Sequence, residues 1–82
     1  MHTIMINGSS YSDPRELHHA LKRMLGLPDW YGLNADALND CLSERRSPVN
    51  LWILDSGTGD VAAALSLVRT VIAENGGTVK EL

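Results

Sequence analysis

One cysteine, Cys41, is all that 82 residues contain, so no internal disulfide can form, as expected in the reducing cytoplasm. No apolar run approaches the roughly 18 residues that a membrane-spanning helix needs. The start, Met1-His2-Thr3-Ile4-Met5-Ile6, has neither a basic region nor a long apolar stretch, and is not expected to act as a signal peptide. Basic residues are few: 7 Lys and Arg against 10 Asp and Glu give a formal charge of −3, with no basic stripe for direct nucleic-acid binding. Metal ligands are scarce as well. His18 and His19 are neighbours on one helix and point in different directions, and a lone cysteine cannot complete a zinc site; no metal and no cofactor are expected. With no linker, repeat or low-complexity tract, residues 1–82 are expected to form one domain of modest stability.

What is present is an alternation of strand and helix signals. His2 to Ile6 is short and β-branched-rich, closed by Asn7-Gly8, and reads as a strand with a turn after it. Asp13 can cap a helix that has Pro14 at its first position and Glu16 to complete a capping box. Leu17, Ala20, Leu21, Met24 and Leu25 share one face of this helix, opposite Arg15, His19, Lys22 and Arg23, and Gly26 stops it. Asn34 can cap a second, shorter helix whose buried stripe is Ala37, Leu38, Cys41 and Leu42. Val49 to Leu54 is nearly all apolar, the pattern of a central strand covered on both faces. A loop at 55–59 leads into a long helix from Asp60 to Asn75, with Val61, Leu65, Val68 and Ile72 inward, and Thr78 to Leu82 supplies a last strand. The order β-α-α-β-α-β predicts an α/β fold with a parallel sheet and right-handed crossovers.

Charge is the feature that points to function. Residues 28–44 hold four acids (Asp29, Asp36, Asp40, Glu44) and no base, a contribution of −4, while the remainder, with six acids and seven bases, sums to +1. Asp36, Asp40 and Glu44 fall at i, i+4 and i+8 on one helix face, a spacing that costs a few tenths of a kcal/mol per like-charged pair. Such a stripe is either a solvated face or a site for something positive. A paired-carboxylate hydrolase does not fit, because nothing nearby raises a carboxyl pKa or shields a substrate. Trp30 and Tyr31 stand in the preceding loop, either tucked over the core edge or forming a rigid contact patch. The following Gly32-Leu33-Asn34 lets the chain turn sharply into the helix.

Other candidates carry less. Gly57-Thr58-Gly59-Asp60-Val61-Ala62 fits a dinucleotide-binding pattern, but Asp60 would repel the pyrophosphate and no ribose-binding acid follows. A flexible turn with an Asp cap explains it. Cys41 lies on a buried stripe and reads as a small core residue. No Ser, His and acid set can be assembled, so the chain is not expected to be an enzyme.

The run from Leu25 to Leu42, LGLPDWYGLNADALNDCL, resembles the signature of the barstar family of ribonuclease inhibitors, roughly L-x-L-P-x-[YW]-[YW]-G-x-N-x-D-A-L-x-D-C-L. Ile6-Asn7-Gly8, Leu17-His18 and Ala20-Leu21-Lys22 agree with it, so the likeness covers the first 45 residues by motif and the rest by element order. The resemblance implies a two-layer α/β domain with a three-stranded parallel sheet. It also implies a cytoplasmic protein that protects its own cell by plugging the active site of a small basic ribonuclease or ribonuclease-type toxin, one to one, without a cofactor. Asp40 would occupy the enzyme's phosphate site, Asp36 would face a neighbouring basic group, and Trp30 would pack near the catalytic histidine. Tyr31, Asn34, Asn39, Ser43 and Glu74 would complete the contact set. The chain departs from the family at Asn39, where a large aromatic stands between the acids of the best-studied type, and at Thr70, where an acid stands. Arg45 and Arg46 would place two cations on the rim, and the short segment before the last helix leaves no room for an additional small helix. A binding module of the same fold with a non-nuclease partner is the alternative.

Overall fold

The computed structural model describes residues 2–82; Met1, the first residue of the expected span, lies outside the described residues. The elements are β1 (His2–Asn7), α1 (Pro14–Leu25), α2 (Ala35–Ser43), β2 (Val49–Asp55), α3 (Gly59–Glu74) and β3 (Thr78–Glu81), the expected order. A 3-10 turn over Gly8–Ser10 follows β1, begun by Asn7, whose Oδ1 accepts the Ser9 amide at 3.1 Å.

All three strands are parallel, in the order β1-β2-β3. Strand order that follows chain order without reversal, joined by crossovers of one hand, sends every helix to the same face of the sheet. Ile4, Ile6, Val49, Leu51 and Ile53 pack there against Leu17, Leu21 and Leu25 of α1, Leu38, Cys41 and Leu42 of α2, and Leu65, Val68, Val71 and Ile72 of α3. The protein is thus a two-layer α/β structure. β2 is central as expected, but it is covered on one face only: Val49, Leu51 and Ile53 are buried, while Asn50 and Trp52 are half-buried and Leu54 is exposed. The open face is organised by register. Thr3, Asn50 and Thr78 form one row, with Thr78 Oγ1 donating to Asn50 Oδ1 at 2.5 Å. Met5, Trp52 and Lys80 form the next, with Lys80 Nζ 5.8 Å from the centre of the Trp52 ring.

α1 is built largely as its caps dictate. Asp13 Oδ1 accepts the Glu16 amide at 2.9 Å, and Gly26, at φ 63°, closes the helix in the left-handed region. The return arm of the capping box differs. The Glu16 carboxylate passes Asp13 and accepts from the Ser12 amide at 2.8 Å and from the Ser12 hydroxyl, two donors in place of one, which holds its pKa below the usual range. α3 starts one residue earlier than expected, at Gly59; Thr58 is its N-cap residue without a side-chain bond, so Asp60 sits in the first turn and is not the cap. No further helix lies between β2 and α3. Gly8 permits the two loops beyond β1 and β2 to interlock, since a Cβ there would sit 2.6 Å from the Asp55 carbonyl oxygen and from the Gly57 amide nitrogen.

Candidate functional site

α2 presents its charges as its sequence spacing requires. Asn34 Oδ1 accepts the Ala37 amide at 2.8 Å and Asn34 Nδ2 donates to the Gly32 carbonyl at 3.2 Å, so this side chain fixes both the helix start and the loop before it. Leu38, Cys41 and Leu42 are buried, while Asp36, Asn39, Asp40, Ser43 and Glu44 are exposed. Two ion pairs exist among the described residues, Lys22–Asp29 at 3.7 Å and Arg69–Glu81; Asp36, Asp40 and Glu44 belong to neither. The last turn of α2 carries no base, and Glu44 at its C-cap lies at the negative end of the helix dipole. The stripe is therefore unrelieved negative charge. Ser43 Oγ turns back onto the Asp40 carbonyl at 2.9 Å. Cys41 has its thiol pKa raised, first by burial and then by Glu44 and Asp40, which keeps it an inert core group.

The two loop aromatics separate. Trp30 is 63% exposed and stands free beside the acidic helix. Tyr31, expected among the contact residues, is instead part of the core at 4% exposure. The reason is His18, which sequence reasoning left unassigned: it is buried at 3% exposure, and its Nδ1 lies 2.5 Å from the Tyr31 hydroxyl. Burial lowers the His18 pKa and raises that of Tyr31 well above the ordinary phenol value, so both stay neutral. Tyr31 is thus the root of the loop and Trp30 its tip.

The sharp entry into α2 is also made differently from expectation. The left-handed residue is Leu33, at φ 57°, and not Gly32. Gly32 serves close approach, since a Cβ there would meet the Ala37 Cβ at 3.3 Å. Leu33 pays for its backbone with partial burial against the core.

Arg45 does not stand on the rim. Its Nη1 donates to the Leu25 carbonyl at 2.8 Å and its Nη2 lies 3.1 Å from His2 Nδ1, so this cation ties the ends of α1 and α2 to the start of β1. Arg46 remains as the exposed cation there. Thr70 and Glu74 are exposed on α3. The next residue, Asn75, reaches α2: its Nδ2 donates to Asn39 Oδ1 at 2.9 Å and to the Val71 carbonyl at 2.8 Å. No signal in the sequence marked Asn75, because the bond joins residues 36 apart. These contacts place α2 near the end of the sheet where the strands begin. The cleft of about 520 Å³ lined by Gly8, Tyr11, Asp55, Gly57 and Asp60 lies at the other end, with two acids where a phosphate would have to bind.

Comparison with known proteins identifies the family. A family model described as Barstar (barnase inhibitor) matches residues 1–72. The chain belongs to the barstar family. A curated relative, the putative ribonuclease inhibitor YrdF of Bacillus subtilis (strain 168), is 46% identical over 43 residues, which are 52% of this chain and 47% of that protein. The match therefore spans about half the length of that relative. Within this barstar-type frame, the exposed pair Asp36 and Asp40, the protruding Trp30 and the end of α3 form the candidate binding face.

Proposed function

We propose that this barstar-family protein acts in the cytoplasm as a one-to-one inhibitor of a small basic ribonuclease or ribonuclease-type toxin. The observation that carries the reading is the unpaired Asp36–Asp40 face of α2 beside an exposed tryptophan on an anchored loop. A ribonuclease active site is a cationic pocket shaped for phosphate, and carboxylates held on a helix can fill it while steering the encounter electrostatically. Asp40 takes the phosphate position, Asp36 faces the adjacent cation, and Trp30 covers the pocket wall. Asn39, Ser43 and Glu74 form the surrounding polar contacts, and Asn34 supports them through the loop. Tyr31 contributes from beneath. A buried thiol without a disulfide partner suits a reducing compartment.

Inhibition of barnase, measured with increasing salt, tests this. Asp40→Ala is expected to weaken inhibition by at least 100-fold, and association should slow as ionic strength rises. Asp60→Asn is the matched control: it removes the same charge at the start of α3, roughly 22 Å along the helix axis from Asn75. Equal losses for the two variants would sink the assignment. Capture of a non-nuclease basic protein with no ribonuclease inhibited would favour a binding module of the same fold.

A further inference from the structure

Between Asp36 and Asp40 the face of α2 carries an amide, Asn39, whose orientation is set from another helix. Asn75 Nδ2 has two hydrogens and two acceptors, the Val71 carbonyl at 2.8 Å and Asn39 Oδ1 at 2.9 Å. Turning the Asn75 amide over would point its oxygen at two other oxygens, so only one orientation satisfies the site. The Asn75 backbone adds rigidity, because its N–H caps the end of α3 on the Val71 and Ile72 carbonyls at 3.1 and 3.2 Å. With its oxygen held inward, Asn39 must present its own NH2 outward.

We infer that Asn75 is a positioning residue of the binding face, fixing Asn39 as a hydrogen-bond donor between the two acceptor-only carboxylates of α2, Asp36 and Asp40. The inference rests on the proposed function for its partner. That partner then offers an acceptor, such as a main-chain carbonyl, set among its cationic groups; a surface of cations alone would leave the Asn39 donor buried and unpaired. The donor so adds specificity that the carboxylates lack, since they attract any cationic pocket.

The test is a double-mutant cycle with barnase as the probe, read as association and dissociation rates, together with NMR of the side-chain amides. Asn75→Ala is expected to weaken binding two- to tenfold, the worth of about one net hydrogen bond, through faster dissociation. In an Asn39→Ala background the same change should do nothing. Asn75→Ser, which can still bond Val71, carries the measurement should Asn75→Ala not fold. Asn39→Asp keeps the acceptor for Asn75 but removes the outward donor, and should bind more weakly despite its added charge. An equal effect of Asn75→Ala in both backgrounds, or tighter binding by Asn39→Asp, overturns the inference. In the free protein, the Asn75 side-chain hydrogen that faces Asn39 should exchange slowly and lose that protection in Asn39→Ala, while the one that faces Val71 keeps it. Unprotected exchange overturns the inference whether or not barnase is bound. A protected amide in a protein that fails to inhibit barnase supports the inference and counts against the ribonuclease reading alone.

Discussion

The buried pair His18–Tyr31 joins the core to the loop that carries Trp30, and Tyr31→Phe isolates its contribution. The phenyl ring keeps its packing at 4% exposure, so the loss is the hydroxyl 2.5 Å from His18 Nδ1. A buried polar atom left without its partner costs about 1–3 kcal/mol. Taking about 2 kcal/mol, and about 4–8 °C per kcal/mol for a domain of this size, the melting temperature should fall by about 8–16 °C at pH 7.5. Thermal unfolding followed by circular dichroism, with urea unfolding to check that the m-value is unchanged, measures it. Tyr11→Phe, at a half-buried tyrosine on the core edge, should stay within about 0.5 kcal/mol of the parent. The same pair gives a pH dependence of defined sign. Burial lowers the His18 pKa below 6.5 in the folded state, so the unfolded chain takes up this proton first as pH falls. Stability from neutral His18 is complete above pH 6.5 and drains away below it toward the folded pKa, with a slope of at most about 1.4 kcal/mol per pH unit. Glu16 adds its own loss only below its ordinary value of 4.5, a separate window. A Tyr31→Phe protein as stable as Tyr11→Phe, with stability flat from pH 7.5 to 5, would refute the reasoning.

Two further predictions concern the frame around the face. Arg45→Met should destabilise by about 1–2 kcal/mol, because the Leu25 carbonyl loses its charged donor, whereas Arg46→Ser should leave stability alone and speed association with a basic ribonuclease at low salt. Urea titrations and stopped-flow association distinguish them, and faster association by Arg45→Met alone would contradict the assignment. Leu33→Gly should change stability by less than about 1 kcal/mol, relief of the left-handed strain at φ 57° offsetting lost burial, while Leu38→Gly in α2 should cost about 4 kcal/mol or more. Comparable losses for the two in urea unfolding would show that Leu33 carries no strain.

Local chemistry made much of this legible in advance. Caps and apolar spacing placed α1 and α2 because each depends on residues within four positions of one another. The exposed acids followed from the buried stripe opposite them. His18 is a polar type and gives no apolar signal, although at 100° per residue it lies within about 20° of Leu25 on the apolar face. Its partner is 13 residues away across a loop, beyond any periodic signal. In the sequence Arg45 has the pattern of a surface charge, because its acceptors, Leu25 and His2, are brought near only by the packed fold. The one-sided cover of β2 had a cue in Asn50: a polar residue in an apolar run fits an open face, where it bridges Thr3 and Thr78. The left-handed turn falls on Leu33, while Gly32 gives Ala37 room for close approach, a placement that depends on where Ala37 arrives.

The placement of the two tryptophans has a practical consequence. Trp30 stands in solvent on the loop before α2, whereas Trp52 lies half-buried beneath Lys80 on the open side of the sheet. The protein therefore carries two emitters that answer different questions. Docking of a partner should blue-shift and quench Trp30 while leaving Trp52 dark to the event, and loss of strand pairing should change Trp52 before anything touches the loop. Trp30→Phe turns the chain into a pure folding probe, and Trp52→Phe into a pure docking probe, with no dye attached.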